Sequence, residues 1–354
     1  MAPMQTWLRA CTGWLLCLAA GCVGPPAGRP SPDRPVTVLP PDEPEAVTVF
    51  DPVTPPSSAP AVPMSWQSLA QWSAARGLEV PRLVATMPGV IYSLAVGADQ
   101  WVFHTGSPVA YWNGVQIRLG FAPQWIDREL WLHGLDLAKH VEPLRHPMHL
   151  RLQSPPRIVL DPGHGGSNTG ARSVVTGQWE KEYTLDWALR LAALLAEKGW
   201  WVVLTRTNDV DVPLAARVTL ADLVGADLFL SLHFNAANGA NHSGGLETYC
   251  LTPVGMPSGI RREFDDEPTL AFPNNEYDEV NFQLAVHLHR CLLEHTGLAD
   301  RGVRRARFMT VLQGQRRPAV LLEGGYLSHP EDARRIAEPA FRQLLAEAIA
   351  SALP

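Results

Sequence analysis

The chain has no excess of positive charge: 29 Lys and Arg stand against 35 Asp and Glu, a formal net charge of −6. Nucleic-acid partners call for a basic face, so the charge gives that class of partner no support and none is expected. Cysteine is scarce, with five in 354 residues. Cys11, Cys17 and Cys22 fall near the N-terminus, leaving Cys250 and Cys291 for the folded part. Those two form one pair in an oxidising compartment or remain two buried thiols. No long hydrophobic run opens the chain. The apolar stretch Gly13-Trp14-Leu15-Leu16-Cys17-Leu18-Ala19-Ala20-Gly21 is too short for a bilayer-crossing helix, which needs about 20 residues. Internal repeats are absent as well.

A short apolar core after a weakly positive start carrying Arg9 reads as an export signal. It ends in Leu18-Ala19-Ala20-Gly21-Cys22, which resembles a lipobox and implies a lipid on Cys22, with residues 1–22 as a lipoprotein signal. Val23 is not the Asp that marks inner-membrane retention, which favours the outer membrane. Proline is plentiful but uneven: thirteen of 32 lie between residues 23 and 63. That stretch has few large apolar groups and cannot offset its own ordering entropy, so it is expected to be an extended spacer.

From Met64 the composition turns globular. Trp66, Leu69 and Trp72 are spaced for a short helix. Strands are expected at 90–96, 101–104 and 115–119, with a hairpin at Asn113-Gly114, the pair that two-residue hairpin turns favour. These features mark a small β-rich domain over 64–150. From Arg157 strands and helices alternate: strands at 157–160, 201–204, 227–232, 246–250 and 319–322, helices at 180–198, 213–223, 281–296 and 331–349. The fold class is therefore α/β, a mostly parallel twisted sheet flanked by helices over 155–354.

Three of those strands deliver polar residues just past an apolar run: Asp161-Pro162-Gly163-His164-Gly165-Gly166, Ser231-Leu232-His233-Phe234-Asn235 and Leu321-Leu322-Glu323-Gly324-Gly325. Strand carboxyl ends in such sheets converge on one crevice, and two His with a Glu there point to a metal hydrolase. Zinc takes His nitrogen and carboxylate oxygen and leaves a position open in hydrolytic sites. Glu180 and Glu182 at the head of the first helix both qualify as a third ligand, and spacing alone does not choose between them. Asp161 either orients the His164 ring or caps its loop. Glu323, costly to bury after four apolar residues, is the candidate general base. Glu247 reads as structural.

These strings, with Glu180-Lys181, Leu204-Thr205-Arg206-Thr207-Asn208-Asp209, Pro213-Leu214, Arg217 and Pro318-Ala319-Val320-Leu321-Leu322-Glu323-Gly324-Gly325-Tyr326-Leu327-Ser328, resemble the zinc-dependent N-acetylmuramoyl-L-alanine amidases of the bacterial cell wall. The likeness runs from about residue 157 to 350. It implies one Zn2+ on His164, Glu180 and His233, with Glu323 catalytic and Asp161, Asn235 and Arg206 beside the metal or along the groove. It implies peptidoglycan as substrate, in cell-wall remodelling or daughter-cell separation, and a place in the cell envelope. The 64–150 segment is similar to the N-terminal domain of copper amine oxidases. Phe234, where Ala is usual, and His329-Pro330, where Asn is common, are the departures. An acidic insertion at 252–280 is read as a substrate-gripping loop, a lid moved by a protein activator, or a solvated loop of no special role. A wall-binding lipoprotein without turnover and a zinc peptidase cutting within the stem peptide are the alternatives.

Overall fold

The computed structural model describes residues 65–87, 89–237, 243–259 and 266–354. The signal at 1–22, Cys22 with its lipid, and the spacer at 23–63 lie outside them.

Fourteen strands are described: β1 (Trp66–Ser68), β2 (Arg82–Ala85), β3 (Ile91–Val96), β4 (Asp99–His104), β5 (Val109–Trp112), β6 (Val115–Arg118), β7 (Gln124–Ile126), β8 (Glu129–His133), β9 (Arg157–Pro162), β10 (Trp201–Leu204), β11 (Leu228–Asn235), β12 (Leu246–Cys250), β13 (Asp300–Arg305) and β14 (Ala319–Tyr326). Eleven form one mixed sheet in the order β10-β9-β11-β14-β12-β13-β6-β5-β4-β3-β2, and β1-β8-β7 form a second. The strands β10, β9, β11 and β14 run parallel, β12 opposes β14, and β13 is parallel to β12. Ile158, Val159 and Leu160 are all fully buried because helices cover both faces, as parallel strands require.

One face carries the helices Glu180–Glu197, Asp278–Thr296 and Pro339–Ala352, which bury Trp187, Leu191, Phe282, Leu288, Leu345 and Ile349. The other carries Leu214–Leu223 and Thr310–Gln313, over Val159, Val203 and Phe229. Among the described helices none is long and apolar enough to cross a membrane.

Several boundaries depart from the sequence reading, each for a local reason. Trp66 belongs to β1, so the first helix is Leu69–Ala74, capped by Ser68 accepting from the Gln71 N–H. The strand β13 was not anticipated, since Asp300-Arg301-Gly302-Val303-Arg304-Arg305 lacks an apolar run; its arginines are held by acids and carbonyls instead. It joins the two halves of the sheet, because Val303 pairs with Ile117 of β6. The β-rich segment thus continues the main sheet as an antiparallel meander, and its Trp101, Phe103 and Ile117 share one apolar cluster with Leu160 and Trp187. Asn113 and Gly114 both have positive φ, 49° and 85°, the requirement of a type I′ hairpin. The expected helix 331–349 breaks at Glu338, which is extended ahead of Pro339, as a residue preceding proline prefers. Both strands carrying site residues run on through them, β11 to Asn235 and β14 to Tyr326.

Cys250 and Cys291 are free thiols. In the 252–280 insertion the described residues are pinned down. Arg307 donates to the carbonyls of Pro253 (2.9 Å) and Met256 (2.8 Å) and pairs with Asp266, while Met256 is buried against Gly120.

Candidate metal centre

Three side chains from three elements meet at one edge of the sheet. His164 follows β9, His233 lies near the end of β11, and Glu180 opens the helix after the Gly-rich loop. Their ligand atoms lie within 4.8 Å of one another. Glu180 Oε2 is 3.1 Å from His164 Nε2, and its Oε1 is 3.0 Å from His233 Nδ1. Glu180 also accepts from the backbone N–H of Ala171 (2.9 Å) and Phe234 (3.0 Å). Burial pushes the Glu180 carboxyl up, but the two imidazoles override it and hold the group well below the usual carboxylate range. A carboxylate whose ionised form is favoured and two imidazole nitrogens form a donor set that fits zinc. Glu182 points to solvent.

The loop that presents His164 is strained and heavily braced. His164 has φ 63°, a left-handed conformation that a non-glycine residue adopts at a cost of order 1–3 kcal/mol. Its ring is oriented by Asn168, whose Oδ1 lies 2.8 Å from Nδ1, the type of outer contact that fixes a ligating ring. Asp209 accepts from the Gly166 N–H and pairs with Lys181, and Asp211 accepts from the N–H groups of Ser167 and Asn168.

Two residues expected at the metal or groove have other work. Asp161 does not touch the His164 ring. Its carboxylate accepts from Thr205 (2.6 Å), Arg217 (2.6 Å) and Ser231 (2.8 Å), and Arg217 in turn donates to the His164 carbonyl. Arg206 is not a groove residue. It is 1% exposed and donates to the carbonyls of Pro162, Gly163 and Lys181, clamping the loop to the helix start. Asp161 thus braces the loop, one of its two expected roles, and Arg206 lies behind the groove, because a charge beside a motif does not reveal which side of the backbone it serves.

The Asp161–Arg217 pair is fully enclosed, at 1% and 3% side-chain exposure. Burial raises the Asp161 carboxyl, but Arg217 and the hydroxyl donors reverse this and hold it below its ordinary value. Asp161→Asn leaves Arg217 buried and unpaired, so stability should fall by about 3–5 kcal/mol, read by urea unfolding. The sign follows from linkage: a depressed folded pKa gives stability that is present above about pH 4, the unfolded value, and is lost as pH falls through the folded one. The variant should lack that acid-side loss, and equal slopes in both proteins would contradict the assignment.

Gly163 is required by close approach. A Cβ there would stand 2.2 Å from His233 Cε1, so Gly163→Ala must displace the ring of a candidate ligand. Zinc affinity is expected to drop about 10–100-fold, the scale of lost ring orientation, in a chelator-competition titration.

Glu323 of β14 is in register with His233 of β11, and Glu247 of β12 with Glu323. Residues paired across adjacent strands share a face, so the three stand side by side. Glu247, 2% exposed, is the hub of the neighbouring wall: it meets Arg301 (3.2 Å), Arg304 (2.9 Å), Asn235 (2.8 Å) and Tyr249 (2.5 Å). That wall bounds a cavity of about 270 Å³ that also includes Glu323, Tyr326 and Met309. No described residue of 252–280 lines it. Arg301 and Arg304 escaped sequence reasoning along with the strand that carries them.

Residues 158–354 match the family described as N-acetylmuramoyl-L-alanine amidase (Amidase_3). The chain belongs to this family. It is 34% identical over 199 residues to N-acetylmuramoyl-L-alanine amidase CwlM of Bacillus licheniformis, covering 56% of this chain and 67% of that protein. It is 32% identical over 265 residues to the probable cell wall amidase LytH of Staphylococcus aureus, covering 75% and 76%, so this likeness reaches into the N-terminal segment. Amidase AmiC2 of Nostoc punctiforme is a similar solved structure, 32% identical, covering 56% of this chain and 94% of that one, with a TM-score of 0.46. Within the amidase family pattern, the two departures are packing choices. Phe234 is buried against Trp187, 5.3 Å between ring centroids, and His329 caps the Pro330–Ala337 helix by accepting from the Asp332 N–H.

Proposed function

We propose that the chain is a zinc-dependent amidase that cleaves the bond between the lactyl group of N-acetylmuramic acid and L-alanine in peptidoglycan. The observation that carries this is the convergence of His164, Glu180 and His233 beside Glu323, one strand over and in register. A zinc ion held there would supply Lewis acidity toward the scissile carbonyl and the attacking water. His164, Glu180 and His233 would hold the metal, with the His164 ring fixed from outside the trio by Asn168. Glu323 takes the water's proton and returns it to the departing amine nitrogen. The cavity lined by Arg301, Arg304, Asn235 and Tyr326 receives the peptide side, where carboxylates are frequent. A lipid on Cys22 and the proline-rich spacer would hold the domain within reach of the wall, in the cell envelope.

The test is mass spectrometry of sacculi digested with the zinc-loaded full chain, with and without a chelator. Peptide-free sugar strands, lost on chelation and restored by zinc, are the expected products. Strands that keep L-alanine would identify a stem-peptide peptidase, and unchanged sacculi a binding protein.

A further inference from the structure

Between β9 and Glu180 the chain makes a tight hairpin that the chemistry above does not use. Glu180 N–H donates to the Ala171 carbonyl (2.8 Å) and Ser173 N–H to that of Gln178 (2.9 Å). The Ser173 hydroxyl accepts from the N–H groups of Val175 and Thr176, and Thr176 Oγ1 meets Tyr183 OH at 2.6 Å. Val174 N–H donates to the Leu327 carbonyl (3.0 Å), tying the hairpin to the end of β14. This rigid frame holds apolar groups out in water: Val174 is 58% exposed, Val175 45% and Trp179 36%. Such exposure forgoes burial energy, and apolar groups held out together on one braced projection mark a contact surface. The Arg172 guanidinium lies 5.4 Å from the centroid of the Trp179 ring.

We propose that Trp179, Val174 and Val175 form a subsite for the glycan strand of peptidoglycan, with a sugar ring stacked on Trp179. This rests on the amidase reading. In that substrate the scissile carbonyl is joined through a lactyl ether to a sugar ring, so the glycan must lie a few bonds from the metal. Trp179 directly precedes the ligand Glu180. Sugar rings present an apolar C–H face to an aromatic plane, and Arg172 adds donors for hydroxyl and acetamide oxygens. The cavity wall, by contrast, is built of Arg301, Arg304, Glu247 and Glu323 over β14, β12 and β13. The hairpin is thus apolar where the cavity wall is charged, matching the sugar and peptide halves of the substrate.

The test uses the zinc-loaded full chain and peptide-free glycan strands in a calorimetric titration. Trp179→Ala should weaken glycan binding about tenfold, near the upper end of what one aromatic contact contributes, while Trp179→Phe restores most of it. Val175→Asp, at the tip, should weaken it as well. Zinc content stays at the wild-type value in all three. On sacculi the Trp179→Ala loss should fall on KM rather than kcat. Glycan binding unchanged by Trp179→Ala, no wild-type binding of glycan, or a loss in kcat alone would overturn the proposal. Products of wild-type digestion report separately on the amidase reading, since calorimetry needs no turnover. Capture of a protein on an intact patch that ignores glycan would assign the surface to a partner instead.

Discussion

Glu323→Gln is expected to reduce kcat on peptidoglycan by at least about 10²–10⁴-fold, the contribution of a positioned general acid–base group, while zinc content and unfolding midpoint stay at wild-type values. The reasoning begins with backbone register. Glu323 follows Ala319-Val320-Leu321-Leu322, all buried, yet β14 continues through it, so its position is set by strand hydrogen bonds rather than by a loop. It pairs with His233 on one side and Glu247 on the other. Glu247 is already matched to Arg301 and Arg304, and it is excluded as the base by that engagement and its burial. Glutamine keeps the volume and removes the proton-accepting charge, which separates chemistry from packing. Chelator titration and single-turnover release of peptide check the two halves. Retained turnover with zinc in place would remove Glu323 from the mechanism.

Much of this architecture was legible because it is written in apolar periodicity. The runs at 157–160, 201–204, 228–232 and 319–322 name buried strands, and the residues ending three of them reach one edge of the sheet. What periodicity does not encode was missed. The strand β13 is stabilised by Arg305 donating to the carbonyls of Leu251 and Lys139 and by two arginines on Glu247, a pattern that in sequence looks like a solvated loop. With it went the joint between the N-terminal meander and the main sheet. Arg206 reads as a groove residue because its motif lies next to the ligand strings, whereas its partners are loop carbonyls; Asp161 reads as a ring or loop brace, and its partners are buried hydroxyls and Arg217. The choice between Glu180 and Glu182 was available without any resemblance. Residues three, four and seven after Glu180 are Tyr183, Thr184 and Trp187, all buried, so Glu180 lies on the inward stripe of an amphipathic helix. Glu182 lies off it.

That stripe makes the second large effect specific to one of two neighbouring carboxylates. Glu180→Ala should lower zinc affinity by at least about 100-fold, above the range for loss of an outer-shell partner, and abolish hydrolysis at ordinary zinc concentrations. The substitution removes a ligand charge and strands the N–H groups of Ala171 and Phe234, which now donate to its oxygens; each buried orphan costs about 1–3 kcal/mol. The variant should therefore lose thermal stability as well as metal, even when both proteins are compared metal-free. Glu182→Ala removes only an exposed first-turn charge, worth about 0.3–1 kcal/mol with the helix dipole, and should leave zinc content and turnover at wild-type values. Zinc content measured by atomic absorption on both variants, alongside melting curves of the metal-free forms, discriminates them. Loss of metal in Glu182→Ala with retention in Glu180→Ala would invert the ligand assignment, and with it the proposed role of Glu323, which rests on its register with His233.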